Sequence, residues 1–123
     1  HAAHFLDNGH IIVFDNNGEG EGGKNVSRVV EFDPVTLEPQ WVYGEKPAQR
    51  FRSSIIGRIQ RLPNGNTLIA EAMNARMIEV KPDGTIVWDY ALQKMKRRDD
   101  TLNAILTGTR YTEGEVPFLK ENP

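Results

Sequence analysis

The stretch LPNGNTL at residues 62–68 decides the fold, because it repeats the stretch LDNGHII at residues 6–12. These two heptapeptides are 56 residues apart, and each is followed by a second matching stretch, RVVEFDP at 28–34 and RMIEVKP at 76–82, with an offset of 48 residues. Self-similarity at a spacing of roughly 20–50 residues is typical of repeat architectures. The sequence therefore predicts two copies of one structural unit.

Each copy has the pattern of short antiparallel strands joined by turns. The dipeptides Asn8-Gly9 and Asn64-Gly65 predict type I′ hairpin turns, because Asn and Gly tolerate the positive φ that both central positions need. Apolar and β-branched runs of strand length follow these turns, and both copies end on a Trp and a Tyr. Three or four such strands in about 50 residues are typical of a propeller blade.

The predicted fold class is all-β, a β-propeller fragment of about two antiparallel blades with a C-terminal closing segment. The chain is expected to form a single segment, 1–123, with blade-like repeats at 1–50 and 51–90 and a tail at 91–123. Because each face of a blade is buried against a neighbour, two blades alone leave an apolar face uncovered. We expect the remainder of the propeller, in the same or a separate chain, to cover it. A compact two-sheet sandwich, or a designed or domain-swapped repeat, is the alternative.

Two regions depart from the repeat. The glycine-rich residues 16–25 contain the 8 residues by which the first copy is longer, and they predict a long exposed loop. Its acidic side chains suggest a calcium site as an alternative, but their spacing fits no EF-hand pattern, which favours a plain loop. In the tail, residues 91–96 favour a short helical turn, and residues 102–106 and 109–111 predict one or two further strands that close the ring.

The composition excludes several classes of protein. The chain of 123 residues is 38% hydrophobic and 26% charged with a formal net charge of -2, which is ordinary for a globular domain and does not favour a nucleic-acid partner. The basic run at residues 94–98 is followed at once by Asp99 and Asp100, which partly cancel its field. The absence of cysteine excludes disulfides and thiolate chemistry. No apolar stretch approaches the ~20 residues that a membrane span requires.

At residues 1–16, HAAHFLDNGHIIVFDN, the chain resembles the signature of arylsulfotransferase-like propellers. That signature is a histidine, a small or acidic pair, Leu-Pro-Asn-Gly-Asn, an apolar run and Phe-Asp-Asn-Gly. Residues 27–34 and 60–69, and the closing stretches 110–111 and 116–119, are similar to the family's downstream pattern. The resemblance covers most of the chain. Since the chain opens without an initiator methionine, we expect it to be the C-terminal portion of such a protein.

The resemblance implies a six-bladed propeller with a periplasmic or secreted location. It also implies transfer of a sulfuryl group from an aryl sulfate to a phenol through a sulfated histidine in the central channel, with no metal and no organic cofactor. A neutral imidazole is a suitable nucleophile for this step. His1 falls on the motif histidine, five residues before Leu6, and is the catalytic candidate. His4 has a weaker claim, and His10, which follows Asn-Gly, is interpreted as structural or solvent-facing.

Arg28 is the candidate for substrate binding, because a guanidinium presents a planar fork of donors to a sulfate group. Its repeat partner Arg76 supports a different hypothesis, in which this arginine stabilises the blade by pairing with Glu31 or, in the second copy, Glu79. The second copy has no histidine in residues 57–60, which correspond to the motif histidine region of the first. Two functions therefore stay open: a sulfotransferase, or a noncatalytic propeller segment for binding or assembly.

Overall fold

The computed structural model describes residues 1–20, 23–92 and 104–120. These residues form two antiparallel sheets of four strands each, and in both sheets every strand pairs with the next strand along the chain. The first sheet contains β1 (His4–Phe5), β2 (Ile11–Gly20), β3 (Gly23–Phe32) and β4 (Pro39–Tyr43). The second sheet contains β5 (Arg58–Arg61), β6 (Thr67–Glu71), β7 (Arg76–Val80) and β8 (Ile86–Ala91).

This architecture confirms the predicted all-β class and the two antiparallel blades. The described residues contain no α-helix, only the short 3-10 turns Pro47–Gln49, Ala72–Asn74 and Pro117–Lys120. The two sheets do not close a ring, as expected of a propeller fragment. The division of the chain into one segment with two repeats and a tail stays a prediction.

The hairpin turns are of a different type from the one predicted. The backbone N–H of Gly9 donates to the carbonyl of Leu6 at 2.9 Å, and the N–H of Leu6 donates to the carbonyl of His10 at 2.8 Å. Gly9 has a φ of 85°, whereas Asn8 has no positive φ, so this is a type I turn with a glycine bulge rather than type I′. The side-chain oxygen of Asn8 accepts a hydrogen bond from the N–H of His10 at 3.0 Å, which favours the same turn.

The glycine-rich stretch is not a loop, and that prediction was wrong. Strands β2 and β3 continue through it as a hairpin to Gly20 and Gly23, with register shifts between Asp15 and Gly18 and between Gly18 and Glu19. Antiparallel pairing uses backbone N–H and carbonyl groups, so a stretch without side chains to bury can still form a two-stranded ribbon. The register shifts are β-bulges that absorb the irregular sequence.

The tail also differs from its prediction where it is described. Where strands were predicted, residues 104–111 contain none. Where a helical turn was predicted, residue 91 is instead the last residue of strand β8. Residues 93–103 lie outside the described part of the chain. The tail instead lies against the second sheet, where the N–H of Ile105 donates to the carbonyl of Ala72 at 3.1 Å. Gln60 and Arg110 exchange two hydrogen bonds of 2.9 and 2.8 Å between the Gln60 side chain and the Arg110 backbone.

One hydrophobic core joins the sheets. Successive side chains of a strand point to opposite faces, so Ile12 and Phe14 of β2 share the face that packs on Ile69 and Ile78 of the second sheet. All four side chains are at most 1% exposed. Burying each one stabilises the fold by about 1.5–3 kcal/mol relative to leaving it in water.

Gly57 lies directly against the ring of Phe14 in this core. A Cβ at this position would overlap the ring of Phe14. We expect Gly57→Ala to displace that ring and lower the free energy of unfolding by about 1–3 kcal/mol, measured by urea denaturation. Gly114→Ala is the matched control, because a Cβ there would meet no atom within 4 Å. Equal losses in the two variants would contradict this packing.

A buried carboxylate fixes the contact between the sheets. Glu31, 6% exposed, accepts a hydrogen bond from the Arg61 guanidinium of β5 at 2.7 Å and is bonded to the His10 ring at 2.8 Å. The Arg61 guanidinium also lies 5.3 Å from the centre of the Trp41 ring. The indole N–H of Trp41 donates to the carbonyl of Pro82 at 2.8 Å. The contacts of Arg61 with Glu31 and Trp41, and that of Trp41 with Pro82, join the first sheet to the second.

The same arrangement recurs on the opposite face of the second sheet. Arg110 of the tail pairs with the buried Glu79 and lies 5.0 Å from the centre of the Trp88 ring. Arg110 and Gly114 have the spacing of Arg61 and Gly65. Arg110 therefore contacts the second sheet as Arg61 contacts the first.

The pKa of Glu31 links this contact to pH. Burial raises it, but hydrogen bonds from His10, Arg61 and Asn8 together lower it below its ordinary value of 4.5. Glu31 therefore contributes stability above about pH 4.5 that is lost as the pH falls through the lower folded pKa.

We expect Glu31→Gln to make the free energy of unfolding less dependent on pH below about pH 5, measured by denaturant titrations. Glu113→Gln, at an exposed position, is the control. An unchanged pH dependence of the free energy of unfolding in Glu31→Gln would contradict the stabilising role of the Glu31 carboxylate.

Candidate functional site

His1 is held at the edge of the first sheet by backbone pairing with β2. The N–H of Phe14 donates to the carbonyl of His1 at 2.9 Å, and the amino group of His1 donates to the carbonyl of Phe14 at 2.7 Å. Continuation of the regular register, in which His4 pairs with Ile12, would place His1 opposite Asp15 instead. Ala2 has a φ of 55°, an uncommon left-handed conformation for alanine, and accounts for this shift. Strained residues of this kind often lie beside functional groups.

The His1 ring is placed by one side chain. Its Nδ1 lies 2.6 Å from the Oδ1 of Asn16. The amide nitrogen of Asn16 donates in turn to the carbonyl of Ser53 at 2.7 Å. Asn16 is a site residue that the sequence analysis missed. Its position in the Phe-Asp-Asn run of the motif was the available signal, but the shifted register that brings it to His1 is not visible in the sequence.

Arg28 is paired with two carboxylates. Its Nε and Nη2 donate to Asp15 at 3.1 and 2.8 Å, and its Nη1 donates to Glu45 at 2.7 Å. Hydrogen bonding to Asp15, followed by that to Glu45, raises the pKa of Arg28 despite its partial burial, so it stays charged. Two negative charges surround one positive charge, which makes this cluster weakly negative. A sulfate group must therefore compete with the carboxylates for the guanidinium.

Arg76 has equivalent partners in the second sheet. It donates to both oxygens of Asp89 at 2.9 and 2.7 Å and lies 3.5 Å from Glu71. The predicted alternative pairing of Arg28 with Glu31, and of Arg76 with Glu79, was wrong, because those glutamates lie on the opposite faces of their strands and pair with Arg61 and Arg110.

His1 and Arg28 line the same open depression. Its volume is about 540 Å³, and apolar side chains of the first sheet, Val13, Val30 and Phe32, form its floor. Val13 and Val30 are direct cross-strand partners, so they share one face. This face is the one that does not pack on the second sheet, which makes the depression accessible.

The other histidines have different surroundings. His4 is exposed, and its Nδ1 lies 2.8 Å from the carbonyl of Ala2. His10 belongs to the buried Glu31 cluster, in agreement with a structural role. Across the described ranges, no group of three or more His, Asp or Glu side chains is placed to hold a metal ion.

These observations define a class of protein: an all-β protein whose two four-stranded antiparallel sheets pack face to face, as in a fragment of a β-propeller. The model of the Arylsulfotransferase (ASST) family matches residues 1–93, which include both sheets. That match spans more than half of the chain, so the chain belongs to this family. No curated protein is significantly similar to it. In the part of the chain that the structure describes, no helix has the length and apolar character to cross a membrane.

Proposed function

We propose that this chain supplies the histidine-bearing part of a propeller that transfers a sulfuryl group from an aryl sulfate to a phenol. The observation that supports this function best is the shared depression. His1 and Arg28 are 27 positions apart in the chain, yet both line it. A nucleophile and a cation beside an apolar floor suit a substrate that combines an aromatic ring with an anionic group.

The proposed reaction has two steps. A nitrogen lone pair of His1 forms a bond to sulfur while the sulfur–oxygen bond to the aryl group breaks, and the electron pair leaves with the phenolate. The oxygen of the acceptor phenol then bonds to sulfur, the nitrogen–sulfur bond breaks, and the acceptor loses its proton. Arg28 stabilises the oxyanions of the transferred group, provided that Asp15 or Glu45 gives way.

We further propose that the rest of the propeller covers the exposed face of the first sheet. Contact with a neighbouring blade would enclose the depression and exclude water from His1, which strengthens electrostatic interactions there. In this proposal the chain is the C-terminal portion of a periplasmic or secreted protein. The partner surface is the remainder of the same ring, in the same or a separate chain.

A noncatalytic propeller segment is the second candidate. The likeness of Arg76 to Arg28 favours this function, since both arginines pair with carboxylates. An arginine that recurs at the same place in both blades serves the structure of the blade in at least one of them.

An assay with an aryl sulfate donor and a phenol acceptor separates the two functions. It uses the protein at its natural length, so that any blades beyond these residues are present. Formation of a new aryl sulfate that depends on both donor and acceptor is the expected result. A folded protein of natural length that transfers no sulfuryl group to any of a panel of phenols contradicts the proposed activity and favours the noncatalytic segment.

A further inference from the structure

The orientation of the Asn16 amide follows from its two contacts. One end of the amide lies 2.7 Å from the backbone carbonyl of Ser53, which can only accept a hydrogen bond. A flipped amide would set its own oxygen against that carbonyl, with two acceptors and no proton between them. The nitrogen of Asn16 must therefore face Ser53, and the oxygen must face the Nδ1 of His1, at 2.6 Å.

This orientation determines where the His1 ring carries its proton. The Oδ1 of Asn16 is only an acceptor, so the Nδ1 of His1 must donate. In the neutral ring the proton is then on Nδ1, and Nε2 keeps its lone pair. We infer that Asn16 is a positioning residue that holds His1 in the Nδ1–H tautomer, with Nε2 as the nitrogen free to attack sulfur. The attack itself rests on the proposed function, whereas the tautomer does not.

The carbonyl that orients Asn16 is itself fixed in the core. Ser27 and Ser53 are both fully buried. The hydroxyl of Ser27 accepts a hydrogen bond from the N–H of Ser53 at 2.8 Å, and its one proton faces the backbone carbonyls of Ser53 and Asn16, each 3.1 Å away. A chain of hydrogen bonds thus runs from the buried serines through Asn16 to the His1 ring. Such supporting groups commonly fix the orientation and tautomer of a functional histidine.

Nitrogen NMR of the full chain labelled at histidine tests the tautomer directly. The His1 signals are assigned by their loss in His1→Gln. At a pH where the ring is neutral, we expect Nδ1 to be the protonated nitrogen and Nε2 the unprotonated one. A wild-type ring that carries its proton on Nε2 overturns the inference, whatever the variants do.

Substitutions at Asn16 test the cause. Asn16→Ala removes the acceptor, and we expect Nδ1–H no longer to dominate. Asn16→Asp retains an oxygen acceptor towards Nδ1 but sets a second oxygen against the Ser53 carbonyl, so we expect it to restore the Nδ1–H form only in part. Asn17→Ala, an exposed neighbour on the same strand, is the matched control and should behave as the wild type. An unchanged tautomer in a folded Asn16→Ala protein overturns the assignment to Asn16.

The kinetic consequence is separate from the tautomer. In a protein that transfers sulfuryl groups, Asn16→Ala should lower kcat by on the order of 10²-fold with a smaller change in KM, and Asn16→Asp should recover part of the loss. Equal kcat in Asn16→Ala and wild type contradicts the positioning role. Absence of transfer in the wild type contradicts only the proposed function, because the NMR result stands by itself.

Discussion

Replacing His1 with alanine is expected to lower kcat for sulfuryl transfer by at least about 10³-fold, because the variant has no side chain that can form the bond to sulfur. The loss should appear in kcat rather than in KM, since the apolar floor of the depression is unchanged. Steady-state kinetics with an aryl sulfate donor and a phenol acceptor measure both constants.

His4→Ala is the matched control for this prediction. His4 is an exposed histidine three positions further along the chain, and its Nδ1 lies 2.8 Å from the Ala2 carbonyl. The control should keep nearly full activity. A His1→Ala enzyme with more than a tenth of the wild-type kcat, or an equal loss in both variants, would contradict the role of His1 as nucleophile.

Replacing Arg61 with alanine is expected to lower the free energy of unfolding by about 2–4 kcal/mol. The change removes the ion pair to the buried Glu31 and the contact with the Trp41 ring, both of which join the two sheets. It also leaves the Glu31 carboxylate, 6% exposed, with fewer partners. Urea denaturation followed by tryptophan fluorescence measures the loss.

Arg58→Ala controls for the loss of an arginine from the same strand, because Arg58 is exposed. It should change the free energy of unfolding by no more than about 0.5 kcal/mol. A similar small effect of Arg61→Ala would contradict the role of the Arg61 contacts in holding the sheets together.

The repeat allowed most of the fold to be predicted. The two copies of the heptapeptide placed both hairpins, and the apolar, β-branched runs placed the strands. The predicted turn type was wrong because Asn-Gly was assigned to the two central positions of the turn. In the structure Asn8 is the second central residue, and the left-handed Gly9 follows the central pair. The glycine hairpin was missed because backbone pairing leaves no side-chain pattern in the sequence.

Contacts between the sheets could not be predicted in the same way. Sequence offsets relate equivalent positions in the two copies, whereas Arg61 pairs with Glu31 across two blades, and that contact depends on how the sheets pack. The tail did carry a usable signal, since Arg110 and Gly114 repeat the spacing of Arg61 and Gly65. In the candidate site, the motif predicted His1, whose catalytic role stays a prediction, but the shift at Ala2 that brings Asn16 to its ring leaves no trace in the residue types.

Mass spectrometry of the rapidly quenched enzyme tests the central claim most directly. The enzyme is mixed with an aryl sulfate in the absence of acceptor, quenched, digested under mild conditions and sequenced by fragmentation. We expect one added sulfuryl group on the peptide that contains His1, located on its ring and lost when a phenol acceptor is supplied. A sulfuryl adduct on another residue, or rapid transfer without any adduct on His1, would contradict it.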